Sequence, residues 1–317
     1  MNLLKSLPIP ICGLSLALIS LGNFFINIHW HTVSFVFFSL ASLIIFTLLV
    51  KLAVIPSMVM HDLKNIVIAS VSPTFTMTLM GIAKYLSNIP FFVQNHISTS
   101  IWYLAVLLHV VVMIYFTVRF VFSKNMNVQQ ILPSWFITFV GIGVITFTAN
   151  AFNHSIGQFF LWLSILNYVI LLPIIIKRTF FSPYDQEATF PLITIIGAPG
   201  SLILAGYLSL YTSEANSIFV LIFLVLSQGL YLISIFNLRF LLRLNFYPSF
   251  AAFTFPLVIS GIACNLSANY LSIPFLHYIS LVELSIAIIV SLFVLIKYAQ
   301  FMYSVVYETT YNNEVAQ

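Results

Sequence analysis

Charge is what this chain has least of. Of its 317 residues only 6% are Asp, Glu, Lys or Arg, against about 25% in a typical soluble domain. Acids are the scarcer sign, with seven Asp and Glu in all. With 61% hydrophobic residues and a mean hydropathy of +1.10, no water-soluble fold of this length could hide its apolar surface. Cysteine is nearly absent too. Cys12 and Cys264 alone exclude a disulfide framework. Neither acids nor histidines cluster as membrane-enzyme chemistry requires. Asp62 and Asp185 stand apart, and His29 and His31 share a loop without a third ligand nearby, so neither a diphosphate–Mg²⁺ pair nor a metal site forms in sequence. No metal, cofactor or catalytic residue is expected. The net charge of +4 does not mark a nucleic-acid binder, because the basic residues sit at the edges of apolar runs without aromatic interleaving. Linkers, low-complexity stretches and a second domain are also missing.

What is there is a ladder of apolar runs, each near the ~20 residues that cross a bilayer. Ten can be drawn, over 7–28, 32–55, 66–88, 97–121, 131–152, 156–179, 190–211, 217–240, 246–270 and 275–300. They make one domain over 1–302, with a short polar tail, 303–317, expected to fray. Lys5 ahead of the first run imitates a signal peptide, but no small-x-small cleavage site closes it near Ser20 to Asn23. It reads as a retained span. The cations Lys5, Lys51, Lys64, Arg119, Lys124, Lys177, Arg178, Arg239, Arg243 and Lys297 fall before the first run, at the far ends of even runs or just after them. The positive-inside rule then places both termini in the cytoplasm. Lys84 is the exception, near the outer end of the third run.

Odd and even runs differ in kind. Each odd run has a proline near its start, Pro8, Pro73, Pro133, Pro191 and Pro248, at intervals of 65, 60, 58 and 57 residues. This repeat predicts one helical hairpin copied five times around an axis. Nine of 11 glycines (Gly13, Gly22, Gly81, Gly141, Gly143, Gly197, Gly200, Gly206, Gly261) and eight of 13 prolines lie in odd runs. Proline removes a helix hydrogen bond and glycine admits close backbone approach. Bent helices are best tolerated in lipid where neighbours or water satisfy the freed backbone. The odd runs are therefore expected to form an inner ring and the Leu/Ile/Val/Phe-rich even runs a lipid-facing outer one.

None of the acids Asp62, Asp185, Glu187, Glu214, Glu283, Glu308 and Glu314 lies in an odd run. Cation pathways commonly use carboxylate rings or carbonyl filters. An inner ring without carboxylates, with hydroxyls such as Thr74, Thr76, Thr78, Thr138, Thr146, Thr148, Ser201 and Thr254, suits loose passage of a small anion. Aligned helix dipoles and the clustered cations would draw anions to the cytoplasmic mouth. Any single Ser or Thr, however, has an alternative use in bonding its own helix backbone.

Four odd-run segments carry a family likeness: Ser72-Pro73-Thr74-Phe75-Thr76-Met77-Thr78, Pro133-Ser134-Trp135-Phe136, Gly197-Ala198-Pro199-Gly200-Ser201 and Ala252-Phe253-Thr254-Phe255-Pro256. In this order and hairpin spacing the chain resembles the tellurite-resistance/dicarboxylate transporter family, which includes bacterial tellurite-resistance proteins and plant slow anion channels. The resemblance implies an all-α membrane fold of ten helices, five hairpins in quasi-five-fold arrangement with odd helices around a central pore. It further implies a homotrimer in the plasma membrane with one pore per subunit, carrying small inorganic or organic anions. A phenylalanine plugs the pore mid-membrane in that family, and the role carries to Phe255, with Pro256 fixing a kink beside it. Phe255 lies 12 residues past Arg243, about 18 Å at 1.5 Å per residue, which is near mid-depth. The pore-lining candidates are Phe75, Thr76, Phe136, Phe147, Pro199, Thr254 and Pro256. The alternative is a proton-coupled C4-dicarboxylate carrier of the same family. Coupling needs a titratable group in the path, and Glu283 and His109, both in even runs, are the acid and histidine deep in spans.

Overall fold

The computed structural model describes residues 2–315 apart from 125, 183 and 185, so Asp185 lies outside the described residues, as do the side chains of Glu308 and Glu314. The regular structure of the described residues is helical, with no strand among them. Among its helices are α1 (Cys12–Asn27), α2 (His31–Val54), α3 (Thr74–Leu86), α4 (Ile97–Phe116), α5 (Gly143–Ala149), α6 (His154–Phe181), α7 (Ala198–Tyr211), α8 (Ser217–Asn237), α9 (Phe255–Leu271) and α10 (Pro274–Val315). The tail from Tyr303 continues α10 as helix to Val315.

Nine helical segments among the described residues are long and apolar enough to cross a bilayer. The fifth expected span is not one of them, which corrects its reading as a single helix. It is two short pieces, Trp135–Phe139 and α5, separated by a turn through Gly141. A Cβ at Gly141 would lie 2.0 Å from the Ile137 carbonyl oxygen, so only glycine admits this close backbone approach.

The other odd segments are broken as well, and each break precedes its principal helix. A 3₁₀ turn, Ile9–Ile11, leads into α1. Helix Ile66–Val71 stops at Ser72-Pro73 before α3. A 3₁₀ stretch, Glu187–Gly197, precedes α7, and another, Pro248–Phe253, precedes α9. The even segments run with fewer interruptions, Pro173 sitting inside an unbroken α6. Prolines and glycines explain the difference, since they cannot complete or stabilise the i→i−4 ladder.

Even-segment side chains satisfy part of the backbone that the breaks release. Asn167 Nδ2 donates to the Phe139 carbonyl at 2.8 Å. Ser234 Oγ donates to the Thr194 carbonyl at 2.8 Å, and Asn237 Nδ2 to the Phe190 carbonyl at 2.9 Å. A freed carbonyl left unpaired in a membrane would cost several kcal/mol.

Packing separates the two classes. The long odd segments are 67–83% buried within the chain, and the even ones 22–39%. Helix α1 touches α3, α3 touches α5, α5 touches α7, α7 touches α9, and α9 returns to α1. Each even helix packs beside an odd one, as α2 on α1 and α10 on α9. Small residues set these distances: a Cβ at Gly81 would meet Ile19 Cγ2 at 2.9 Å, and one at Gly261 would meet Leu284 Cγ at 2.7 Å.

Candidate functional site

Three cavities lie along the odd segments. The middle one, of about 50 Å³, is lined from all five: Pro10 and Gly13, Thr74 and Met77, Phe136 and Gly141, Ala198 and Pro199, and Ala252, Phe255 and Pro256 among others. These residues sit at the breaks. The starts of α1, α3, α7 and α9 therefore meet this cavity, and their partial positive ends gather there. Sequence reasoning had put those dipole ends at the cytoplasmic mouth; the breaks bring them inward. Among the described residues, no charged one lines the middle cavity.

The near cavity, about 410 Å³, lies at the cation-rich end and includes Lys5, Lys51, Asp62 and Asn65 in its wall. Lys51 is almost wholly buried; its Nζ donates to the Leu7 carbonyl at 2.6 Å and lies 3.7 Å from an Asp62 carboxylate oxygen. Among the described residues, the one carboxylate lining any of the three cavities is therefore paired with a cation. Pro10, Val71, Leu192 and Ser249 line both near and middle cavities. The far cavity, about 400 Å³, is lined by Lys84 and several Asn, Ser and Thr side chains, with no acid among the described lining residues. Phe255 and Met77 line both middle and far cavities. They form the wall between two spaces, and Phe255 is 8% exposed.

The sequence candidates divide. Phe255, Phe136, Pro199 and Pro256 line the middle cavity and Phe147 the far one. Phe75, Thr76 and Thr254 line none of the three. Thr76 Oγ1 faces outward to His109 Nδ1 at 2.8 Å, and also donates to the Pro73 carbonyl at 2.7 Å. Thr254 Oγ1 donates to the Ala251 carbonyl at 2.7 Å and the Gly13 carbonyl at 3.3 Å. Thr78, Thr148 and Ser201 likewise bond backbone carbonyls in their own segments. Many of these hydroxyls knit helices together, while Thr74 lines the middle cavity and Thr148 the far one. Glu283 and His109 are buried and line none of the cavities.

Sequence reasoning missed Met77 and Ser249. Met77 stands inside the quoted Ser72–Thr78 segment, yet nothing in its residue type marks it as a wall. Ser249 follows the repeat proline Pro248, and its buried Oγ has no hydrogen-bond partner.

Among families of known proteins, the chain matches the one described as SLAC1, voltage-dependent anion channel, over residues 7–299. No curated protein matches it.

Proposed function

Because the chain belongs to the SLAC1, voltage-dependent anion channel, family, we propose that it conducts small anions across a membrane through the three aligned cavities. Its ten segments pair as five hairpins, odd segments enclosing the passage and even segments facing lipid. The cation-rich end is cytoplasmic, the membrane is the plasma membrane, and the working unit is a homotrimer with one passage per subunit.

The observation that carries this reading is the charge of the path. Its lining holds Lys5, Lys51 and Lys84 against one carboxylate, Asp62, which is bound to Lys51. Among the described residues nothing free and negative faces a passing ion. An anion meets a net positive near cavity, then helix starts with partial positive charge, then Lys84. A cation meets the same fields as barriers. Phe255, with Met77, is the gate. An apolar wall at mid-path excludes water, and an ion cannot shed its hydration shell there without replacement.

The carrier alternative has one observation behind it, the buried carboxyl of Glu283, which has an Oε2 without a hydrogen-bond partner. That group stands on α10 behind α9 and outside all three cavities, so the channel reading is favoured. The test is chloride release from proteoliposomes made from purified protein, with a potassium ionophore supplying charge balance. Release above protein-free vesicles supports conduction; release that demands an imposed proton gradient supports the carrier instead.

A further inference from the structure

We propose that the far cavity contains a binding site for a small inorganic anion, organised by the Lys84 ammonium. Lys84 is the residue whose position breaks the charge sorting of the sequence, which asks for a local reason. It stands on α3, seven residues beyond the wall residue Met77, or about 10 Å along the helix.

Every odd segment brings a donor to this cavity: Asn27 from α1, Lys84 from α3, Asn150 after α5, Ser209 and Thr212 at the end of α7, and Asn265 from α9. The ion pair among the described residues is Lys51–Asp62, and no described acid lines this cavity, so among the described residues the Lys84 ammonium has no carboxylate to neutralise it. The Lys84 carbonyl accepts from Ser87 Oγ and Asn88 Nδ2, whereas no hydrogen bond engages its Nζ. Asn23, also in the wall, spends its Nδ2 on the Ile19 and Gly81 carbonyls. The amide nitrogens of Asn27, Asn150 and Asn265 are not spent in this way. An ammonium with three uncommitted amides offers the donors that replace water around an anion.

Helix polarity sharpens the point. Helices α1, α3, α7 and α9 end toward the far cavity, so their partial negative charge accumulates there. Without a full positive charge this space would repel anions after they pass Phe255. Lys84 reverses that sign. As a step in transport the site rests on the conduction reading; as a binding site it stands alone.

The test is a chloride titration of the purified protein in detergent, followed by ³⁵Cl NMR line broadening, with Lys84→Gln and Lys84→Arg beside the unchanged chain. Removing a unit charge ~4 Å from the ion should weaken apparent chloride affinity at least roughly five-fold, the effect expected even at the dielectric of water. Lys84→Arg should keep the affinity of the unchanged chain. Lys84→Cys supplies a second route if the Gln variant folds poorly. Cys12 and Cys264 are buried, so a cationic methanethiosulfonate labels the new thiol and should restore binding, while a neutral one should not. Equal chloride affinity in folded Lys84→Gln, or restoration by the neutral reagent, overturns the site. Displacement of chloride by malate at far lower concentration overturns the inorganic assignment. Flux that survives with no Lys84-dependent binding refutes this inference and leaves conduction standing; binding without flux does the reverse.

Discussion

Replacing Phe255 by alanine removes a ring that stands between cavities of about 50 and 400 Å³. In a closed core such a truncation costs about 3–5 kcal/mol. Phe255 already faces empty space on two sides, so the loss should fall at the low end of that range and the variant should fold. The barrier to an ion changes more. At an apolar wall a passing anion forfeits contact with water, and one charge-assisted hydrogen bond is worth roughly 1.5–3 kcal/mol. Regaining a single such contact raises the rate by roughly 10- to 150-fold, since each 1.4 kcal/mol is a factor of ten. Chloride release from proteoliposomes, normalised to folded protein by size-exclusion chromatography, measures it. A folded Phe255→Ala protein whose release matches the unchanged chain refutes the gate, and Met77→Ala should then be tested as the wall.

Three further outcomes follow from packing. Gly197→Ala sets a Cβ 2.3 Å from Ser234 Oγ, which already donates to the Thr194 carbonyl; overpacking of this kind costs ~1–3 kcal/mol, so thermal unfolding in detergent should shift down and Ser234→Gly should recover part of the loss. Thr76→Val strips the hydroxyl from His109 Nδ1 and leaves a buried imidazole less satisfied, a penalty of ~1–3 kcal/mol, while the anion selectivity of flux stays unchanged because Thr76 faces away from the cavities. Glu283→Gln should leave downhill chloride flux unchanged, and abolition of flux in a folded variant would return the carrier mechanism to the front.

Much of the architecture is legible in the residues because bilayer physics is strict. Segments of about 20 apolar residues, cations collected at one end, and prolines spaced by a hairpin each constrain the chain on their own. The difference in burial between odd and even segments follows from the sorting of glycine and proline. The manner of bending was less legible. Pro8, Pro73, Pro191 and Pro248 announce bends, but the structure makes 3₁₀ stretches at Glu187–Gly197 and Pro248–Phe253, a choice set by side chains arriving from α8 and α10. The break in the fifth span depends on Gly141 meeting its own Ile137 carbonyl, a tertiary detail that two glycines in sequence do not disclose. The site was partly legible. Phe255 was reached through family likeness, whereas Met77 shares its wall with no signal in residue type. Thr76 and Thr254 look like passage-lining hydroxyls in sequence, yet burial forces them to bond within the protein, because an unpaired hydroxyl in an apolar interior is costly. Lys84 was visible from the start as a charge on the wrong side.

The central claim, an anion path with no free carboxylate, is tested most directly by the reversal potential of Phe255→Ala in a planar bilayer under a potassium chloride gradient. The account predicts a reversal close to the chloride equilibrium potential. A reversal close to the potassium equilibrium potential would contradict it.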